Sequence, residues 1–506
     1  MRKAILRPPV KSINYALLFL GCIIFHMVGT WSLPLIDRDE PRFAEASREM
    51  IERGDYIVPR FNNQLRLDKP PLAYWAQVAS YRIFGQNDFA ARFPSAVAAA
   101  LVAMSILAWG SRIGGNHVGW WAAIIFTLSL QTFIHAKAAV ADMWLVLFVT
   151  LVHWAGYELL FENSERQTPN AQRSTSNSEY RPWWFLFYLA LAGGFLAKGP
   201  IAWTPLLTLA AMKLFVGDVE LAKRFKFARG ILLMLAIVAL WGVPALIQTH
   251  GEFFRIGIGR HVVGRSFGAM EGHGANSLGI YLLLLPFYFV TIFASFFPWS
   301  IKLPSLANKL WRERDKSRLR SDSYGVRVDI YLLTAAGIIF VIFSLIKTKL
   351  PHYTLPAFPL LSLLLARHLI DHRQFLKRCA IVTASIYLVV ALFVTPTAAR
   401  FFPAAQLFTQ TSDQLRPEME FGAVDFQEPS LVWYFRSRVH GWMTPLNATT
   451  AVTFMGKSGP RFAVLPTALA AKTFPDPPAT WKSFSTRGFN IAKGKRVDLT
   501  LVLKPD

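Results

Sequence analysis

Residues 37–75, DRDEPRFAEASREMIERGDYIVPRFNNQLRLDKPPLAYW, follow directly on an apolar run and gather carboxylates and bases into one short segment. Asp39 followed by Pro41 is a helix-start pattern, a capping side chain and then an early proline. Gly54 supplies the stop. The expected helix covers Arg42–Arg53, and Phe43, Ala46, Met50 and Ile51 recur in it at helical spacing. That stripe predicts a helix lying along a membrane surface. A second short helix is expected to begin at Pro70–Pro71.

Working outward, the chain of 506 residues is 53% hydrophobic and 17% charged. A soluble protein carries about 25% charge. Apolar runs near the length of a bilayer span recur, so an α-helical polytopic membrane protein is expected. The runs are continuous, which excludes the alternating pattern of a β-barrel. Met1-Arg-Lys before an apolar run imitates a signal peptide, but the run is too long and lacks a small-residue cleavage site, so it reads as the first span. A net charge of +23 suggests nucleic acid at first sight. The bases sit in short loops between spans, where membrane orientation accounts for them, and no nucleic-acid partner is expected. Cys22 and Cys379 both lie in apolar runs and read as packed residues, not as a disulfide or metal pair.

The first span is expected at 13–36. Others follow near 91–110, 118–134, 141–161, 183–197, 200–216, 229–248, 279–300, 329–346, 351–366 and 379–398. Arg2, Lys3, Arg7 and Lys11 place the N-terminus in the cytoplasm. Alternation then puts 37–89, 135–140, 198–199, 249–278 and 347–350 outside, in the periplasm. It puts 301–328, with its KLWRERDKSRLR run, inside as the strongest anchor. The polar stretch 163–180 is expected to be a disordered cytoplasmic loop. The odd span count leaves two domains, a transmembrane domain over 1–398 and an outer domain over 399–506. The outer domain reads as small α+β, with strand-like runs at 431–435, 448–455, 461–467 and 497–503.

Under that topology the unusual polar residues gather at one membrane face. They are Asp37, Asp39, Glu40, Asp68, Lys69, Lys137, Asp142, Lys198, Arg255, Arg260, His261, Arg265, Lys347, Lys349, His352 and Tyr353. A charge at the edge of an apolar span is costly and invites a functional reading. Ordinary structural roles compete: a cap for Asp39 and Glu40, a cap for Asp142, snorkelling for Lys198, a solvated loop for Arg260 and His261. The segment 344–356, SLIKTKLPHYTLP, is the hardest to explain in that way. Fixed cations suit a phosphate whose charge grows in the transition state. Carboxylates suit a sugar hydroxyl, an amine, a metal or an acceptor proton. Phosphate chemistry at the lipid boundary points to a lipid-phosphate substrate.

At these residues the chain resembles a known family. DRDEPRFAEASREM, LDKPPLAYW, FLAKGP and KLPHYTLPAFP, in that order, are similar to motifs of the bacterial lipid-A aminoarabinose transferases and their relatives, the dolichyl-phosphate-mannose:protein mannosyltransferases. The resemblance covers about 1–365 and implies the GT-C membrane fold, with about 11–13 transmembrane helices. It implies Asp39, with Glu40 beside it, as the catalytic or acceptor-positioning carboxylate, and Asp142 as a second acid. It implies Lys69, Lys198, Lys347 or Lys349, His352 and Tyr353 as residues lining the donor phosphate, with Arg260 and His261 in a loop that adds phosphate contacts. The family has Glu where this chain has Asp68, so a metal or amine contact there is in question. No cofactor is required; a divalent metal held by Asp68, Asp142 and His261 is an option only if the fold brings them together.

The implied reaction is inverting transfer of one sugar from a polyprenyl (undecaprenyl) monophosphate carrier to a lipid A-like glycolipid or a protein. The donor, the acceptor and membrane lipids are the expected partners, and a monomer is expected. The rival class is a transporter or flippase of a lipid-linked or anionic substrate, which requires charges near the midplane and inverted repeats. The sequence has no such repeat, and its charges cluster on one side.

Overall fold

A computed structural model of the chain describes residues 10–161, 181–216, 224–257, 259, 277–318 and 324–506. Among them, five helices are long and apolar enough to cross a membrane: Asp88–Gly114, Asp142–Phe161, Phe227–Gln248, Gly325–Leu345 and Arg373–Ala399. The pair Asn116–Thr127 and Leu130–Ala136, bent by 69°, makes a sixth if taken as one span. The remaining expected spans are shorter apolar helices, among them Ser12–Met27, Arg181–Lys198, Thr204–Val216 and Phe358–His368. The described bundle is therefore polytopic, with fewer full-length spans than the eleven to thirteen expected. Prolines and turns break several apolar runs: 3-10 turns at Pro200–Trp203 and Pro351–Ala357 occupy what reads in sequence as the start of a span. The expected loop 163–180 lies outside the described residues.

Two helices, Asp88–Gly114 and Asp142–Phe161, form the centre of the bundle. The first carries a run of alanines, Ala90, Ala91, Ala96, Ala98, Ala99, Ala100 and Ala103, all buried. Small side chains let helix backbones approach closely, which is how membrane helices pack. The backbones come close at Gly110, where a Cβ would stand 2.7 Å from the Gly119 Cα. The outer helices Phe227–Gln248 and Arg373–Ala399 instead leave Leu232, Leu240, Ile247 and Phe393 exposed, the lipid-facing side of such a bundle.

The bundle has two chemically different ends. Asp142 opens its helix at one end; Glu158, about 24 Å further along, lies at the other, paired with Arg112 at 2.7 Å. The C-terminal domain sits at the Asp142 end. It contains a five-stranded mixed sheet in the order Met443–Leu446, Glu420–Val424, Arg461–Pro466, Lys495–Lys504, Lys482–Asn490. The first three strands are parallel and the last two pair antiparallel. Of the four strand-like runs in the sequence, 461–467 and 497–503 fall in strands. The run 431–435 is instead the helix Pro429–Phe435, and 448–455 lies in the helix Ala448–Gly456, which has an Asn447–Thr450 capping box.

The charged segment 37–75 forms the helix Asp39–Arg53, closed by Gly54 at φ 67°. Its apolar stripe does not face lipid. Phe43, Ala46 and Met50 pack on Ala73, Tyr74 and Val78 of the next helix, with Phe43 stacked on Tyr74 at 5.0 Å. Its charged side is covered by the C-terminal domain. Arg48 donates to Glu45 at 2.8 Å and to the Trp433 carbonyl at 2.9 Å, and lies 3.9 Å above the Trp433 ring. Arg436 pairs with Glu45 and donates to Glu52 at 2.7 Å. Asp37 accepts from the backbone and hydroxyl of Ser430 at 2.9 and 2.6 Å, and burial pushes its carboxyl up to about 6. Trp433 and Tyr434 donate to Asp88 at 2.7 and 2.8 Å. The helix is thus buried on both faces, because the C-terminal domain uses it as a floor.

Candidate active site

Where the bundle meets the loop before the helix Leu72–Phe84, a cavity of about 820 Å³, including its open mouth, is lined by Asp68, Lys69, Asp142, Lys198, His352 and Tyr353 on its polar side. Leu145, Val146, Ile201, Phe343, Ile346, Leu355 and Pro356 make the apolar side. Each polar residue arrives from a break between helices. Asp142 opens Asp142–Phe161, and Lys198 ends Arg181–Lys198 just before Gly199, whose φ of 78° turns the chain into Pro200. His352 and Tyr353 stand in the 3-10 turn Pro351–Ala357. Asp68 and Lys69 precede the double proline that starts the helix Leu72–Phe84.

The polar groups are interlocked. Lys198 Nζ lies 2.5 Å from Asp142 Oδ1 and 5.9 Å from the Tyr353 ring centre. His352 Nε2 is 3.9 Å from the same oxygen. Asp68 pairs with Arg66 at 3.3 Å and with Lys69 at 3.9 Å, and Arg66 donates to the Tyr74 hydroxyl at 2.8 Å. Asp39 is exposed at the start of its helix, and its charge acts on Arg66 and Tyr74 beside the cavity.

Other residues singled out in the sequence are placed differently. Glu40 is buried and accepts four hydrogen bonds: two from Arg92 at 2.9 and 2.8 Å, one from Ile36 N at 2.8 Å and one from Ala139 N at 2.7 Å. It ties the helix start to the bundle and is not among the residues lining the cavity. Lys349 is buried and donates to the carbonyls of Phe343 and Ser344, at 3.0 and 2.5 Å, closing the C-terminal end of the helix before it. Lys347 is half-buried and is not among the residues lining the cavity. Arg260 and His261 lie outside the described residues.

Among the described residues, one group has ligand atoms close enough for a metal ion. It is His135, Asp142 and His352, whose ligand atoms lie within 4.8 Å of one another. Asp68 takes no part, because its short side chain is paired two residues back with Arg66. Neither His135 nor Arg66 stands out in the sequence. His135 sits in an apolar stretch, and only the bend at 128–129 brings it beside His352, ring to ring at 4.9 Å.

A family model described as dolichyl-phosphate-mannose-protein mannosyltransferase matches residues 68–169. The undecaprenyl phosphate-α-4-amino-4-deoxy-L-arabinose arabinosyl transferase of Yersinia pestis (strain Pestoides F) is 27% identical over 364 residues, covering 72% of this chain and 60% of the relative. An uncharacterized protein of Aquifex aeolicus is 28% identical over 402 residues, covering 78% of this chain and 83% of the relative. The chain therefore spans about three-fifths of the length of the named transferases it matches. The crystal structure of ArnT from Cupriavidus metallidurans bound to undecaprenyl phosphate superposes over 97% of this chain and 98% of that one, with a TM-score of 0.73 at 19% identity. Its apo form gives 0.70. The chain is thus similar in sequence to these transferases, and it shares the fold of the ArnT structure over nearly its whole length.

Proposed function

We propose that this chain transfers one sugar, with inversion, from a polyprenyl monophosphate carrier to a lipid A-like glycolipid or a protein. The reaction takes place on the periplasmic side of the inner membrane, with the N-terminus cytoplasmic and the C-terminal domain outside. One observation carries the reading: Lys69 and Lys198 line a cavity whose other wall is apolar. Such a cavity suits an amphiphile with an anionic head and an isoprenoid tail. The molecules named for the relatives, undecaprenyl phosphate among them, have this chemistry.

In this reading the donor phosphate sits against Lys69 and Lys198. The bond from sugar C1 to the phosphate oxygen breaks, its electron pair goes to that oxygen, and the two ammonium groups stabilise the charge. The acceptor oxygen attacks C1 from the opposite side. A hydroxyl acceptor gives its proton to Asp39; a phosphate acceptor needs no base, and Asp39 then orients the sugar. Asp142 holds Lys198 in place until the phosphate arrives. The charges sit at helix ends and not at mid-span, which disfavours a transporter.

The test is mass spectrometry of polyprenyl-phosphate sugars, lipid A and surface proteins in a deletion strain. The expected result is accumulation of one carrier-linked sugar and loss of the same mass from one product. An unchanged carrier pool and unchanged products would overturn the proposal.

A further inference from the structure

We propose that His135, Asp142 and His352 bind a divalent transition-metal ion of the zinc class, in competition with Lys198 for the Asp142 carboxylate. The inference concerns ion binding and stands without the glycosyl-transfer reading. Two imidazoles and one carboxylate are a zinc-type donor set. They come from three separate breaks in the bundle: the last turn of Leu130–Ala136, the first residue of Asp142–Phe161 and the 3-10 turn Pro351–Ala357. Their ligand atoms lie within 4.8 Å of one another.

His135 is already oriented from outside the group. Its Nδ1 stands 3.2 Å from the Gln131 carbonyl oxygen, one turn earlier, and 3.0 Å from the Gln131 side-chain nitrogen. In the tautomer that donates from Nδ1 to the carbonyl, Nε2 is left for the metal, as in other ligating histidines. Ligands of a tetrahedral ion stand about 3.3 Å apart, so the three atoms must close by at most roughly 1.5 Å. Lys198 Nζ, 2.5 Å from Asp142 Oδ1, opposes that closure. An ion that takes the carboxylate releases the ammonium into the cavity, where it is free to meet an anion.

The experiment uses the full-length chain in detergent, stripped with a chelator and dialysed against micromolar Zn²⁺, with bound metal counted by mass spectrometry. One ion per chain is expected. His135→Gln and His352→Gln should each lower occupancy at least tenfold while thermal melting confirms a folded protein. Lys198→Met should tighten binding about tenfold by removing the competitor. Co²⁺ in the wild-type chain should give visible bands of nitrogen and oxygen ligation, which gives an answer even where a variant fails to fold. Absence of stoichiometric zinc, zinc retained in both histidine variants, or weaker binding in Lys198→Met would each overturn the proposal.

Discussion

Lys198 Nζ lies 2.5 Å from Asp142 Oδ1 on the polar side of the cavity, with both side chains mostly shielded from solvent. A positive charge held there by one carboxylate is poised for a second anion. Lys198→Met is expected to lower turnover by about 10²–10³-fold, the range for loss of one charge-stabilising donor, and to raise the KM for the polyprenyl donor. Steady-state kinetics with purified enzyme and synthetic donor check this. Wild-type constants would remove Lys198 from phosphate binding.

Asp39 and Glu40 are neighbours with opposite surroundings, which makes their variants diagnostic. Glu40 accepts four hydrogen bonds, two from Arg92, and both side chains are buried. Glu40→Ala leaves the Arg92 charge uncompensated, and breaking such a buried pair costs about 3–5 kcal/mol. The thermal midpoint should fall sharply. Asp39 is exposed, so Asp39→Asn should melt like the wild type. With a hydroxyl acceptor it should lose about 10²–10⁴-fold in rate, the contribution of a general base. With a phosphate acceptor the loss should be much smaller, so the rate ratio also reports the acceptor class.

Lys349 illustrates a residue whose motif suggests phosphate and whose contacts are structural. Its ammonium donates to the Phe343 and Ser344 carbonyls. Hydrogen bonds from a charged group contribute about 1.5–3 kcal/mol. Lys349→Met is expected to lower stability by about that amount with an unchanged donor KM, measured by melting and kinetics on the same preparation.

The same contrast explains what the sequence revealed and what it hid. The helix Asp39–Arg53 was legible because its early proline and Gly54 are local signals; the expected Asp39 cap is not made, since Asp39 is itself the first helical residue and no side chain caps that end. Its partner was not, because the stripe of Phe43 and Met50 looks alike whether it packs on lipid or on Tyr74. Pro429–Phe435 read as a strand for a related reason. Leu431, Val432 and Phe435 enter the domain core while Trp433 packs on Leu35, Ala44 and Tyr81. A short helix apolar on both sides has the composition of a buried strand. In the site, Lys69, Asp142, Lys198 and His352 were visible as charges or histidine beside apolar runs. His135 was not, since its partners lie at Asp142 and His352 and no local spacing links them. Glu40 and Lys349 show the converse: a charge at a span edge signals an important contact without saying whether the partner is substrate or backbone.

The floor of the C-terminal domain should be sensitive to pH through Glu49. Its Oε2 accepts from Asn63 N at 3.2 Å, while Oε1 is buried, lacks a hydrogen-bond partner among the described residues and lies 4.0 Å from Arg436. Burial, and then the charge of Glu45, pushes this carboxyl up from the usual range to about 7. A carboxyl with a raised value in the fold is protonated there while still ionised in the unfolded chain. The folded state therefore binds more protons between roughly pH 4.5 and 7. The stabilisation is fully present below that window and is lost as pH rises through it. Glu49→Gln mimics the protonated form at every pH. It is expected to leave the melting temperature unchanged at pH 5, to raise it by a few degrees at pH 8, and to flatten the slope between. Arg436→Met in the same series should lower it at both pH values, since it leaves buried Glu45 with Arg48 alone and removes the partner of Glu52. A Glu49→Gln profile parallel to the wild type would place the proton elsewhere.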